Sequence, residues 1–181
     1  YRQGHLPGAR HAHLDQHRSV HGNAPRASGG RHPLPTREAF AAWLADCGLQ
    51  PGQQVVVYDR QGANYCGRLW WMLKWCGHEA VAVLDGGFQA WLAAGGALET
   101  GDPMPAVPGG FVLQPSRAPV LGTAELAARL GDPAQTVLDA RAAARFRGEV
   151  EPLDPVAGHI PGALNRPFAD NLGPCLLYTS D

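Results

Sequence analysis

The sequence predicts an α/β fold with a mainly parallel central sheet, present as two repeats that are both truncated. Three observations predict it. Gly4-His5-Leu6-Pro7-Gly8-Ala9 returns as Gly158-His159-Ile160-Pro161-Gly162-Ala163, a spacing of one domain's length. Short apolar runs such as Val55-Val56-Val57-Tyr58 alternate with helical patterns, as parallel sheets require. Turn clusters of Gly and Pro separate these segments.

The elements follow in chain order. Ala9 to Leu14 reads as a short strand, and residues 15–35 read as a long surface loop. Thr36 is a good helix N-cap; Phe40, Trp43, Leu44 and Cys47 then recur at helical spacing, and Gly48 stops the helix. Val55 to Tyr58 is apolar on both faces, as a central parallel strand must be when helices cover both sides. A helix is predicted over 63–76, closed by Gly77, and a second buried strand over 80–84. Asp85-Gly86-Gly87 turns into a short helix near 88–94. Residues 95–119 are rich in Gly and Pro and read as linker. Thr123 caps a helix over 124–130, Val137 to Ala140 is a strand, and Arg141 to Phe146 is a helical turn.

Composition excludes several function classes. The net charge of −1, with no long basic run, gives no electrostatic footprint for nucleic acid. No apolar run approaches the roughly 20 residues that span a bilayer. Cys47, Cys66, Cys76 and Cys175 form neither a C-x-x-C pair nor a zinc-finger spacing, so no metal or other cofactor is expected and a reducing, cytoplasmic setting is. His11 and His13, with His17 and His21 beyond, form a histidine series, but only Asp15 stands near as an acidic partner.

The two GHxPGA copies, Val55 to Asp59, Arg68-Leu69-Trp70-Trp71, Leu84-Asp85-Gly86-Gly87-Phe88, Val137-Leu138-Asp139-Ala140-Arg141 and Arg145-Phe146-Arg147-Gly148 form one set of short stretches. Together they resemble the rhodanese superfamily, specifically its tandem-domain sulfurtransferases. The resemblance implies a rhodanese-like three-layer fold. It also implies an activity: a cysteine thiolate takes the outer sulfur of thiosulfate or 3-mercaptopyruvate as a persulfide and passes it to cyanide or a thiol. The small anionic sulfur donor and the thiol or cyanide acceptor are the expected partners, without nucleic acid or membrane. On this reading residues 1–98 are a noncatalytic N-terminal domain lacking its first strand and 99–119 are linker. Residues 120–172 then begin the catalytic domain, and 173–181 form a non-native tail.

The departures from the family are as informative. The family's cysteine follows a central strand, where loop amides and a helix N-terminus lower its pKa. That position holds Asp59 here, which cannot carry a sulfane sulfur. Cys66 is expected two turns into the following helix and buried, not catalytic. Cys175 lacks a glycine loop and a preceding buried strand, so no catalytic residue is assigned in this chain and the chain is expected to be inactive. The resemblance makes Arg145 the substrate-binding residue; the alternative is a surface arginine paired with Glu149 or Glu151. Asp154, where mercaptopyruvate enzymes place a second arginine, favours thiosulfate. A noncatalytic rhodanese-like binding or regulatory module is the competing reading. Val137 to Ala140 is further expected to fill an open position in the first sheet.

Overall fold

The computed structural model describes residues 1–173. It divides into two compact units, Tyr1–Pro119 and Val120–Asp181. Cys175 and the expected tail over 174–181 lie outside the described residues.

The first unit is built on a parallel pair of strands, β1 (Val55–Val57) and β2 (Val81–Val83), in the register Val55↔Val81 and Val57↔Val83. Helix α1 is Leu14–His17, α2 Arg37–Asp46, α3 Cys66–Trp75 and α4 Gly87–Ala93. Phe40 of α2 and Met72 and Leu73 of α3 are fully buried with Cys76, and Val57 joins the same core. Burying a side chain of that size stabilises by about 1.5–3 kcal/mol. β1 is not covered on both faces as its apolar run predicts: Val57 is 3% exposed but Val56 is 52% exposed.

The predicted helix start at Thr36 is observed, with its Oγ1 accepting from Ala39 N–H at 3.2 Å, and Gly48 leaves the helix at φ 90°. Three local expectations are corrected. Ala9 to Leu14 forms no strand; the His13 ring caps α1 by accepting from Asp15 N–H, and the backbone turns into a helix instead. Helix α3 begins at Cys66 rather than residue 63. Gly62 and Ala63 are both left-handed, at φ 62° and 63°, and no helix can run through that. Cys66 therefore opens the helix and does not sit two turns within it.

The linker expected over 99–119 is bound to the first unit. Glu99 bridges His5, Gly109 N–H donates to Ala45 O at 2.7 Å, Phe111 N–H donates to Leu49 O at 3.0 Å, and the Phe111 ring is buried in the core. Gly109 is required by the close approach: a Cβ there would lie 2.1 Å from the Leu49 carbonyl oxygen. Gly77 is hemmed in likewise, with Gln114 Cβ at 2.5 Å from any added Cβ and φ at 84°.

The second unit holds α5 (Thr123–Ala128), β3 (Leu138–Asp139), α6 (Ala143–Phe146), β4 (Leu164–Asn165) and a 3-10 turn, Phe168–Asn171. β3 pairs in parallel with β4, Leu138↔Leu164, in a sheet of its own. Val137 to Ala140 does not complete the first sheet. The Asn165 amide settles the pairing by donating to Asp139 O and Arg141 O, both at 2.9 Å.

Candidate functional site

The chain after β1 wraps its amides around one carboxylate. Asp59 Oδ1 accepts from Gln61 N–H at 2.8 Å and from Ala63 N–H at 3.0 Å. Oδ2 accepts from Tyr65 N–H at 2.7 Å and from Cys66 N–H at 2.9 Å. The left-handed pair Gly62-Ala63 turns the loop so that these four donors converge. Burial pushes the Asp59 carboxyl up, but the four amide bonds outweigh it and hold the pKa below the ordinary value. The loop is thus an anion cradle filled by its own side chain.

The recurrent motifs hold this loop in place. Leu6 N–H, from the first GHxPGA, donates to the Tyr58 hydroxyl at 3.0 Å. Arg60 Nη2 donates to Gly4 O at 2.6 Å, and its guanidinium lies 3.9 Å from the centre of the Phe88 ring. Phe88 N–H donates to Asp59 O at 3.1 Å. Gly87 must be glycine, because an added Cβ would lie 2.9 Å from Asp59 O at φ 55°. The Asp85-Gly86-Gly87 turn closes with Gly87 N–H on Leu84 O at 2.9 Å. Beside the loop is a cleft of about 350 Å³ whose polar lining includes His5, Arg10, Arg18, Tyr58 and Asp59.

The three described thiols are buried or partly buried, and each has a raised pKa. Burial, with the adjacent Asp59 charge and its hydrogen bond, raises the Cys66 pKa to about 12. Burial likewise lifts Cys47 and Cys76 to about 11 each. A sulfur attack needs the thiolate, which is scarce at neutral pH under such shifts.

In the second unit, Arg145 lies in the last turn of α6. Its Nη2 donates to Glu151 Oε1 at 2.7 Å and to Asp154 Oδ2 at 3.0 Å, and its Nε donates to Glu151 Oε2 at 3.2 Å. Arg141 reaches Glu151 at 3.4 Å and Asp139 at 2.6 Å. The hydrogen bond from Arg145 lowers the Glu151 pKa to about 2, assisted by Leu153 N–H and Asp154 N–H. Arg147 pairs with Glu149 at 2.6 Å. Glu151 is therefore the hub of this unit, a role the sequence hints at only as a surface partner for Arg145. His159, from the second GHxPGA, stacks on Phe146 at 3.7 Å and hydrogen-bonds its carbonyl through Nδ1 at 2.7 Å, which fixes the end of α6. Both copies of the motif close the same turn, Ala9 N–H on Leu6 O and Ala163 N–H on Ile160 O, each at 3.0 Å.

The histidine series divides: His11, His13 and His17 stay together, with the His11 and His13 rings 5.6 Å apart and His13 N–H donating to His17 Nδ1 at 3.0 Å, while His21 lies elsewhere. His11 stacks on Tyr1 at 4.9 Å, and His13 serves as the α1 cap. The Asp15 carboxylate meets His21 and His32. Arg68 acts as a clamp that sequence reasoning misses: Nη2 donates to Arg18 O at 2.7 Å and to His32 O at 2.8 Å. Its one sequence signal is an arginine near the start of a largely apolar helix.

Known proteins are similar to this chain in sequence and fold. The chain is 48% identical over 176 residues to a probable 3-mercaptopyruvate sulfurtransferase of Pseudomonas aeruginosa, covering 96% of this chain and 60% of that protein. It is 44% identical to the putative thiosulfate sulfurtransferase SseB of Mycobacterium tuberculosis, covering 92% of this chain and 58% of that one. The chain thus spans about three fifths of the length of these curated relatives. The crystal structure of SseA from Escherichia coli, described as having the rhodanese fold of 3-mercaptopyruvate sulfotransferases, superposes with a TM-score of 0.81 at 32% identity, over 99% of this chain and 65% of that one. A family model described as a rhodanese-like domain matches residues 1–94, the segment that contains both the cradle and the motifs that brace it; the chain belongs to the rhodanese family.

Proposed function

We propose that the protein to which these residues belong is a sulfurtransferase, and that its first unit is the noncatalytic partner within it. The observation that carries this is the Asp59 carboxylate holding all four cradle amides. A cradle of that kind stabilises an anion at the head of a helix. In a catalytic copy the anion is a cysteine persulfide. The thiolate attacks the outer sulfur of thiosulfate and sulfite leaves; cyanide or a thiol then takes that sulfur, and the thiolate returns. With a fixed carboxylate in the cradle, the first unit carries no sulfur and repels an incoming anion.

Arg145 is the proposed substrate-binding group of the second unit. Asp154 supports thiosulfate over 3-mercaptopyruvate through the resemblance alone: mercaptopyruvate enzymes place a second arginine there, and this chain has a carboxylate paired with Arg145 at 3.0 Å instead. The three described thiols are free, which fits a reducing cytoplasmic setting.

The test is thiocyanate formation by the 181-residue chain from thiosulfate and cyanide. The expected result is no turnover above the uncatalysed rate. Turnover that Cys66→Ala abolishes overturns the noncatalytic assignment. The three raised thiol pKa values also favour a second reading, a rhodanese-like binding or regulatory module. A stable persulfide on the relatives' cysteine position in the intact protein, seen as a one-sulfur mass increase after thiosulfate, decides for the enzyme.

A further inference from the structure

We propose that Asp15, His21 and His32 form a zinc-binding site on the first unit, separate from the Asp59 loop. Their ligand atoms all lie within 4.8 Å of one another. Asp15 Oδ1 is 3.2 Å from His21 Nε2 and 3.6 Å from His32 Nδ1. A tetrahedral zinc with bonds of about 2.0–2.1 Å to nitrogen and oxygen sets its ligand atoms about 3.3–3.4 Å apart. The two measured edges bracket that value. Two imidazoles and one carboxylate are a donor set zinc takes readily, leaving a fourth position for water.

A second observation points the same way. His32 Nδ1 is buried and has no hydrogen-bond partner among the described residues, although it faces Asp15. A buried ring nitrogen without a partner is costly, and a metal bond satisfies it. The backbone is also held ready. One Arg68 nitrogen ties Arg18 O to His32 O, so the segment that carries Asp15 and His21 is pinned beside the segment that carries His32. Val20 N–H on Pro33 O at 3.0 Å and Leu34 N–H on Ser28 Oγ at 2.9 Å secure the same loop. Ligands fixed before binding lose little conformational freedom on capture. Arg18 is near enough to Asp15 for their charges to interact, which weakens cation binding; its Nη1 donates to Tyr65 O at 2.8 Å.

The experiment titrates the full 181-residue chain with Zn²⁺ by calorimetry, and with Co²⁺ as an optical substitute. Binding of one equivalent is expected, with the visible d–d bands of a tetrahedral Co²⁺ site and no near-ultraviolet thiolate charge-transfer band. His21→Gln and His32→Gln should each weaken binding at least about tenfold. A His11→Ala variant should leave it unchanged. The His21 side chain is exposed, so its variant keeps the fold and reports even if the His32 variant does not. No binding by the native chain, a thiolate band, or full affinity in His21→Gln overturns the proposal.

Discussion

At the residue scale, the fate of Asp59 turns on charge. Its two oxygens accept four amide protons, so each bond is charge-assisted. An asparagine at this position would offer one oxygen and set an amide N–H₂ against two donors. Asp59→Asn is therefore expected to cost about 1.5–3 kcal/mol in urea unfolding, the range for losing a hydrogen bond to a charged group. The pH dependence follows from linkage. The folded pKa lies below the ordinary value of 3.8, so the carboxylate's contribution is complete above that value and fades as pH falls through the folded pKa. Thermal melts of the native chain should drop as the solution is acidified below about pH 4, and the Asp59→Asn variant should lose less over the same window. Cys66 follows the opposite sign. Its raised pKa keeps the thiol protonated in the fold, and that stability is lost only as the solution becomes strongly alkaline.

At the scale of elements, the strap over 99–119 and the ion cluster of the second unit serve the same end by different physics. The strap is held by backbone hydrogen bonds and by Phe111, and Gly109 touches the Leu49 carbonyl too closely to admit a side chain. Gly109→Ala should destabilise the first unit by about 1–3 kcal/mol, read as a lower urea midpoint with an unchanged slope. The α6 segment depends instead on Glu151, which meets Arg141, Arg145 and two loop amides. Glu151→Gln should speed amide hydrogen exchange at Leu153 and Asp154 and leave exchange in α3 unaltered. It should also free Arg145 toward anions, so thiosulfate should slow exchange around α6 more in the variant than in the native chain.

At the scale of the whole molecule, the buried hydrophobic residues are divided unequally. Every one but Ala163 among the described residues belongs to the first unit. A polypeptide of residues 1–119 is therefore expected to unfold cooperatively with nearly the midpoint of the full chain, and calorimetry checks it. A midpoint lower by more than about 10 °C would mean that the second unit contributes substantially to the stability of the first.

The sequence by itself determined the α/β class, the parallel apolar strands, the Thr36 and Gly48 helix boundaries and the family. Each depends on local chemistry or on motifs written contiguously in the chain. It also drew attention to Asp59, because a carboxylate after an apolar strand is visible without coordinates. Only the tertiary structure decided that four amides converge on Asp59, that Cys66 opens α3, that 99–119 packs as a strap, that β3 pairs with β4, and that the Asp15 carboxylate meets His21 and His32. The physical reason is the same in each case. Periodicity and capping report on neighbours along the chain. Left-handed turns, close backbone approaches and long-range ion pairs are fixed by which distant segments the fold brings into contact.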